Sequence, residues 1–158
     1  MGERAQADRG VAAWKFDPWL AEAEQMDGDT ESREPLPCDG QTPEFVKRWM
    51  QSHGAPGTIV VVRHSQLGLY EYLLDEVRRT DLRLKRVYLA DHGVFRLNGD
   101  YIAPPRGRFS LLVPLREVLD AAVGGHTWMN GRPAFHRPLS ARERALVEVA
   151  RRQEGERP

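Results

Sequence analysis

The chain has 158 residues, enough for one domain and a tail, since domains run to about 100–200 residues. Hydrophobic residues make up 41% and charged residues 29%, no apolar run approaches the ~18 residues of a spanning helix, and one cysteine excludes a disulfide framework or a multi-cysteine metal site. The net charge of zero is divided: residues 1–44 hold 11 acids and 4 bases, a net of −7, and residues 45–158 hold 12 acids and 19 bases, a net of +7.

Residues 1–41 read as a mostly disordered acidic leader. They are rich in Glu, Asp, Gly and Gln, and such a segment buries too little surface to offset the cost of ordering its backbone. An aromatic segment over 11–26 interrupts it with Val11, Trp14, Phe16, Trp19 and Leu20. Asp17-Pro18 has the form of a helix start, an N-cap followed by a first-turn proline, so a short helix over 18–26 is expected. Trp14, Phe16, Trp19 and Leu20 either dock on the chain's own domain or offer a recognition helix to a protein partner. Cys38 lies between Pro37 and Asp39. Acidic neighbours do not favour a thiolate, so an incidental thiol is expected there.

A single domain is expected over 42–153. Thr42-Pro43-Glu44 combines a hydroxyl cap, a proline and a first-turn acid, and predicts a helix over 43–52 ended by Gly54 and Pro56. Thr58 to His64 is β-branched and compact, a strand. Residues 67–79 are ambiguous. A helical wheel gathers Gly68, Glu71, Asp75, Arg78 and Arg79 on one polar face, whereas Tyr70, Tyr72 and Leu74 alternate as in a strand. The strand is preferred because it pairs directly with its neighbours. Leu82 to Ala90 alternates with a change of phase that suggests a bulge near Lys85-Arg86. Asp91-His92-Gly93 is a turn, residues 94–97 a return strand, and Asn98-Gly99 a two-residue turn from which Tyr101-Ile102 pairs back. A loop over 104–107 leads to a strand over Phe109–Val113. A helix over 115–123 follows and ends at Gly124-Gly125. Residues 124–139 read as loop. Ser140 and Glu143 form a capping box for a helix over 141–153, and 154–158 is expected to fray.

These elements give an α+β fold. Its antiparallel sheet is small and flanked by helices, and short strands with tight turns are compatible with an SH3-like barrel. No motif identifies a family. The polar first residues carry no signal-peptide core, so a cytoplasmic protein without membrane contact is expected.

Motifs for chemistry are sparse. None of the five histidines forms an H-E-x-x-H or an i, i+4 pair, and no glycine-rich phosphate loop precedes a helix. His64 ends a strand and His92 sits in a turn, so the two would meet at one end of the sheet with Asp91 orienting an imidazole, against the simpler reading that both are solvated. No catalytic residue, metal site or cofactor is assigned.

The basic residues say more. Arg78, Arg79, Arg83, Lys85 and Arg86 fall within nine positions with Asp81 as the only acid, and Arg96, Arg106 and Arg108 follow. Pairing of the strands would gather several on one face, as phosphate contact requires. Tyr70, Tyr72, Tyr88, Phe95 and Tyr101 interleave with them as candidate stacking groups. Against this, arginines alternating along a strand are usually its solvated face, and arginine outnumbers lysine 20 to 3, which genomic composition also produces. The resulting expectation is a non-enzymatic binding domain: a nucleic-acid-associated regulator whose acidic leader competes for the basic strands. The alternative is a protein-interaction module that docks through the leader or through Trp128 and Met129 in the 126–136 loop. A small hydrolase or nuclease using His64 and His92 is the third reading.

Overall fold

The computed structural model describes residues 35–104 and 108–156. The expected helix over 18–26, the residues Trp14, Phe16, Trp19 and Leu20, and Arg106 lie outside the described residues. The fold is α+β: a curled antiparallel sheet, a half-barrel, flanked by three helices.

The first helix, α1 (Pro43–His53), starts as its sequence dictates. Thr42 Oγ1 accepts from Phe45 N at 3.1 Å, Pro43 opens the first turn, and Gly54 closes the helix. Val46 and Met50 are its buried face. The strand β1 (Ile59–Gln66) opens with four consecutive buried residues because both of its faces are covered. Ile59 and Val61 belong to one core, with helices α2 (Arg116–Gly124) and α3 (Ala141–Glu156). Val60 and Val62 belong to the other, with α1.

Residues 69–81 settle as a strand, β2 (Leu69–Asp81), joined to β1 by a turn in which Leu67 and Gly68 both take positive φ. Tyr72 and Leu74 face one core, Val77 the other. At 13 residues β2 is long enough to carry two partners along the edge opposite β1. Leu69–Glu71 pair with β6 (His126–Met129), and Val77–Asp81 with β3 (Arg86–Leu89). The bulge lies at Val77/Arg79 rather than near Lys85-Arg86, and residues 82–85 form a turn in which Lys85 has φ 59.

Strand β4 (Gly93–Arg96) returns along β3, and β5 (Phe109–Leu112) pairs with the far side of β1. The Asn98-Gly99 turn brings Tyr101 back to Phe95 and Asp100 to Ser110, which joins β4 to β5 and curls the sheet.

Two expectations are corrected. Residues 124–139 are not all loop: β6 and β7 (Arg132–His136) form a hairpin across Asn130-Gly131, both at positive φ, whereas at Asn98-Gly99 only the glycine takes positive φ. Residues 35–41 are not separate from the domain: Leu36 and Cys38 are buried, and Gln41 exchanges two 2.9 Å bonds with the backbone of Val113. The capping box of α3 is present, with Glu143 N on Ser140 Oγ at 3.1 Å and Ser140 N on Glu143 Oε1 at 3.0 Å. This helix runs on to Glu156 and docks through Gln153, which bonds Gly57 O and Ile59 N. No helix among the described residues is long and apolar enough to cross a membrane.

An ion pair fixes the start of α3. Arg137 donates to both oxygens of Glu143, at 2.9 and 2.7 Å, and this bond holds the Glu143 carboxyl below the usual carboxylate range, with burial opposing. A group whose folded pKa is depressed stabilises above its ordinary pKa, and that stability is lost as pH falls through the depressed one. Glu143→Gln should therefore cost about 2 kcal/mol at neutral pH, the scale of a charge-assisted bond. The gap from wild type should close as the pH is taken below the ordinary glutamate range, in urea melts at a series of pH values. A gap independent of pH would refute the assignment.

Candidate nucleic-acid interface and a histidine cluster

The strands β2, β3 and β4 present one face to the core and one to solvent. Val77, Val87, Leu89 and Phe95 point inward. The register sets Arg79 beside Tyr88, and Arg86 directly opposite Arg96, on the outer face. The Arg79 guanidinium lies 3.8 Å from the Tyr88 ring centroid, a stacked cation–π contact, with Asp81 at 4.0 Å. Arg78 is exposed at the bulge, and Arg83 and Lys85 are exposed in the 82–85 turn beside Leu82 and Leu84, each 57% accessible. Among the described residues, Arg78, Arg83, Lys85, Arg86 and Arg96 have no carboxylate partner. Of the arginines of α3 and of the segment before it, Arg137, Arg142 and Arg151 are paired with carboxylates, whereas Arg144 bonds the Leu139 carbonyl.

The structure thus gathers six of the eight expected basic residues in one region. Arg108 is at the other end of the β3–β4 hairpin, and its guanidinium bonds His64. The aromatic platform is smaller than expected. Tyr72 and Phe95 are core, Tyr70 lies under Arg63, and Tyr101 packs on Phe109, which leaves Tyr88 on the basic face. Trp128 is buried against β2 and Met129 is half-buried, so neither is held out on a loop.

The chain matches no family model, no curated protein and no solved structure. Its chemistry has to be read from its own side chains.

Cys38 is not in an acidic setting. It is buried, accepts from Arg63 Nη1 at 2.9 Å and lies 3.6 Å from the Tyr72 hydroxyl. Burial first, then Cys38, push the Tyr72 hydroxyl above the ordinary tyrosine range, so it stays protonated.

The two histidines lie at one end of the sheet, each against Phe109 rather than against the other. His64 stacks on Phe109 at 4.9 Å between ring centroids, and His92 lies 5.8 Å from the same ring. Tyr101 packs edge-on against it at 5.0 Å. The carboxylate that orients His92 is Asp75, not Asp91. His92 Nδ1 is 2.6 Å from Asp75 Oδ2, and Asp75 is fully buried. The same carboxylate accepts from the backbone N–H of Glu76 at 2.7 Å and of Asp91 at 3.1 Å. Asp91 supplies that amide, while its side chain pairs with Arg142, which also holds Glu76. His64 Nδ1 is 3.2 Å from Glu71 Oε1, and its Nε2 accepts from Arg108 Nε at 3.3 Å. That arrangement places the proton of neutral His64 on Nδ1.

Asp75 goes unassigned in the sequence because the strand alternation there is followed along Tyr70, Tyr72 and Leu74, the opposite face. The signal was available. Once residues 69–81 are a strand, Asp75 stands between Leu73 and Val77 on an inward face, and a lone carboxylate there requires donors.

Proposed function

We propose that the outer face of β2–β4 binds nucleic acid through its phosphates. The observation that carries this is the placement of Arg86 directly opposite Arg96 with no carboxylate partner for either. Like charges directly opposite on an antiparallel pair destabilise it, and an anion lying across the two relieves that repulsion. Arg79, stacked on Tyr88, extends the row, and Arg83 and Lys85 flank it. Such a row follows a phosphate backbone and reads no sequence by itself. The protein-interaction alternative draws no support from Trp128, which is buried.

The test is fluorescence anisotropy of labelled single- and double-stranded DNA and RNA over a salt series, with the full-length chain. Wild type should bind at low salt and weaken steeply as salt rises. The double variant Arg86→Ala/Arg96→Ala should bind at least tenfold more weakly at low salt, with a logarithmic salt slope shallower by about two. Arg151→Ala, which removes a base of α3 already paired with Glu148, should leave binding unchanged. The double variant should also melt at the same temperature as wild type or slightly higher, because the like-charge pair is gone. No binding at low salt, or equal slopes, would refute the proposal.

A further inference from the structure

The basic face leaves the histidine cluster unexplained. Two imidazoles share one aromatic ring, each has Nδ1 against a carboxylate, and an exposed arginine stands beside one of them. We propose that His92 and His64 form an acid–base site that cleaves RNA phosphodiesters, with Arg108 as the phosphate ligand. The inference carries the nucleic-acid reading to a second site, at the opposite end of the β3–β4 hairpin.

The reaction needs a base, an acid and a cation at the phosphate, and these three are present. His92 is the base. The buried Asp75 carboxylate takes its Nδ1–H, which leaves the Nε2 lone pair free, and Nε2 has no partner among the described residues. The His92 side chain is 19% accessible, so the ring is held but reachable. His64 is the acid. Glu71 orients its Nδ1, and its Nε2 accepts from Arg108 only while that guanidinium has no other ligand. A phosphate that draws Arg108 away frees Nε2 to carry a proton. Phe109 fixes both rings, and Tyr101 braces Phe109. The charged groups around the pair are Asp75 with Asp91, Glu76 and Arg142 near His92, and Glu71, Arg108 and Arg137 near His64.

The step balances without a metal or a redox partner. His92 Nε2 removes the proton of a ribose 2′-hydroxyl as its oxygen attacks the adjacent phosphorus. The bond from phosphorus to the 5′-oxygen breaks, and that oxygen takes the proton from His64 Nε2. The products are a 2′,3′-cyclic phosphate and a free 5′-hydroxyl.

The experiment uses the full-length chain, the ribodinucleotide UpA and its 2′-deoxy analogue, with EDTA present and the cyclic phosphate read by phosphorus NMR. One phosphate does not need the β2–β4 face, so this assay reads the cluster alone, and DNA binding by anisotropy reads the face alone. Wild type should form the cyclic phosphate, and the deoxy analogue should be inert. His92→Ala and His64→Ala should each lose at least about 100-fold in turnover, the lower range for a general acid or base. Free imidazole should restore part of the His92→Ala rate, which a purely structural role would not allow. Arg108→Ala should lose at least tenfold. Its side chain is exposed and its backbone bond to Ser65 is retained, so this variant carries the test if a histidine variant fails to fold. No cyclic phosphate from wild type above buffer, or equal rates in wild type and these variants, would overturn the proposal.

Discussion

Asp75→Ala should destabilise the domain by roughly 3 kcal/mol or more. The substitution removes the acceptor for the backbone N–H groups of Glu76 and Asp91 and for His92 Nδ1, at a site with no solvent access for the side chain. Each buried donor left without a partner costs about 1–3 kcal/mol, and the three lie too close for water to replace the carboxylate easily. Asp75→Asn should cost only about 1 kcal/mol, since its amide oxygen still accepts from the two backbone groups. Its NH2 then faces His92 Nδ1, which has to become the acceptor, and the ring proton moves to Nε2. The conservative variant therefore keeps the fold and removes the lone pair that the acid–base proposal requires. His92→Ala should be the milder histidine-side loss, and the double variant with Asp75→Ala should show a coupling of about 0.5–3 kcal/mol. Guanidinium denaturation of wild type and these four variants measures all of this. An Asp75→Ala variant within 0.5 kcal/mol of wild type would show that the turn does not depend on the carboxylate, contrary to the typical cost of a lost buried acceptor.

What the sequence made legible was local. Thr42-Pro43 and the Ser140–Glu143 box specify helix starts by bonds within one turn, and both are present as read. The β-branched run from Thr58 to His64 reads as a strand, and it is one; that both its faces are covered is a tertiary fact. Residues 67–79 were ambiguous because the deciding fact is tertiary. A polar residue at 75 suits an exposed helix face, and it is buried only because the 90–92 turn folds over it and brings a backbone N–H and an imidazole as donors. The hairpin at 126–136 was lost for a different reason. Its signal, Asn130-Gly131, was the same one used at Asn98-Gly99, but the density of Gly, Pro and His around it looked like loop. Strand β7 is an exposed edge that tolerates Pro133, so the composition was that of an edge and not of a loop.

The candidate site divides in the same way. Six basic residues close in sequence are close in space, because a hairpin and its turn keep neighbours together. Arg108 departs from them because its position depends on the pairing of β5 with β1, some forty residues earlier in the chain. That pairing delivers it to His64. That His64 and His92 lie at one end of the sheet was foreseeable from their places at the ends of elements. The identity of the orienting carboxylates was not, because it depends on cross-strand register.

A last expectation concerns the crossing of chain segments at Gly125. This residue ends α2 with φ +68, and its N–H caps the carbonyls of Ala121 and Ala122. Its own carbonyl accepts from Arg137 N at 2.9 Å, and a Cβ built there would fall onto the carbonyl oxygen of Arg137. Arg137 in turn holds Glu143 and so the start of α3. Two costs therefore meet in Gly125→Ala: about 1–2 kcal/mol for a left-handed alanine and a further 1–3 kcal/mol for the overpacked crossing. Gly57 separates them. It also has positive φ, +91, but no atom lies within 4 Å of its would-be Cβ. Gly57→Ala should pay the conformational cost alone, about 1–2 kcal/mol. The difference between the two variants in a denaturation midpoint then reports the close approach of the α2 terminus to the segment after β7. Equal losses would mean that the crossing yields without penalty and that Arg137 is placed by its bond to Glu143 alone.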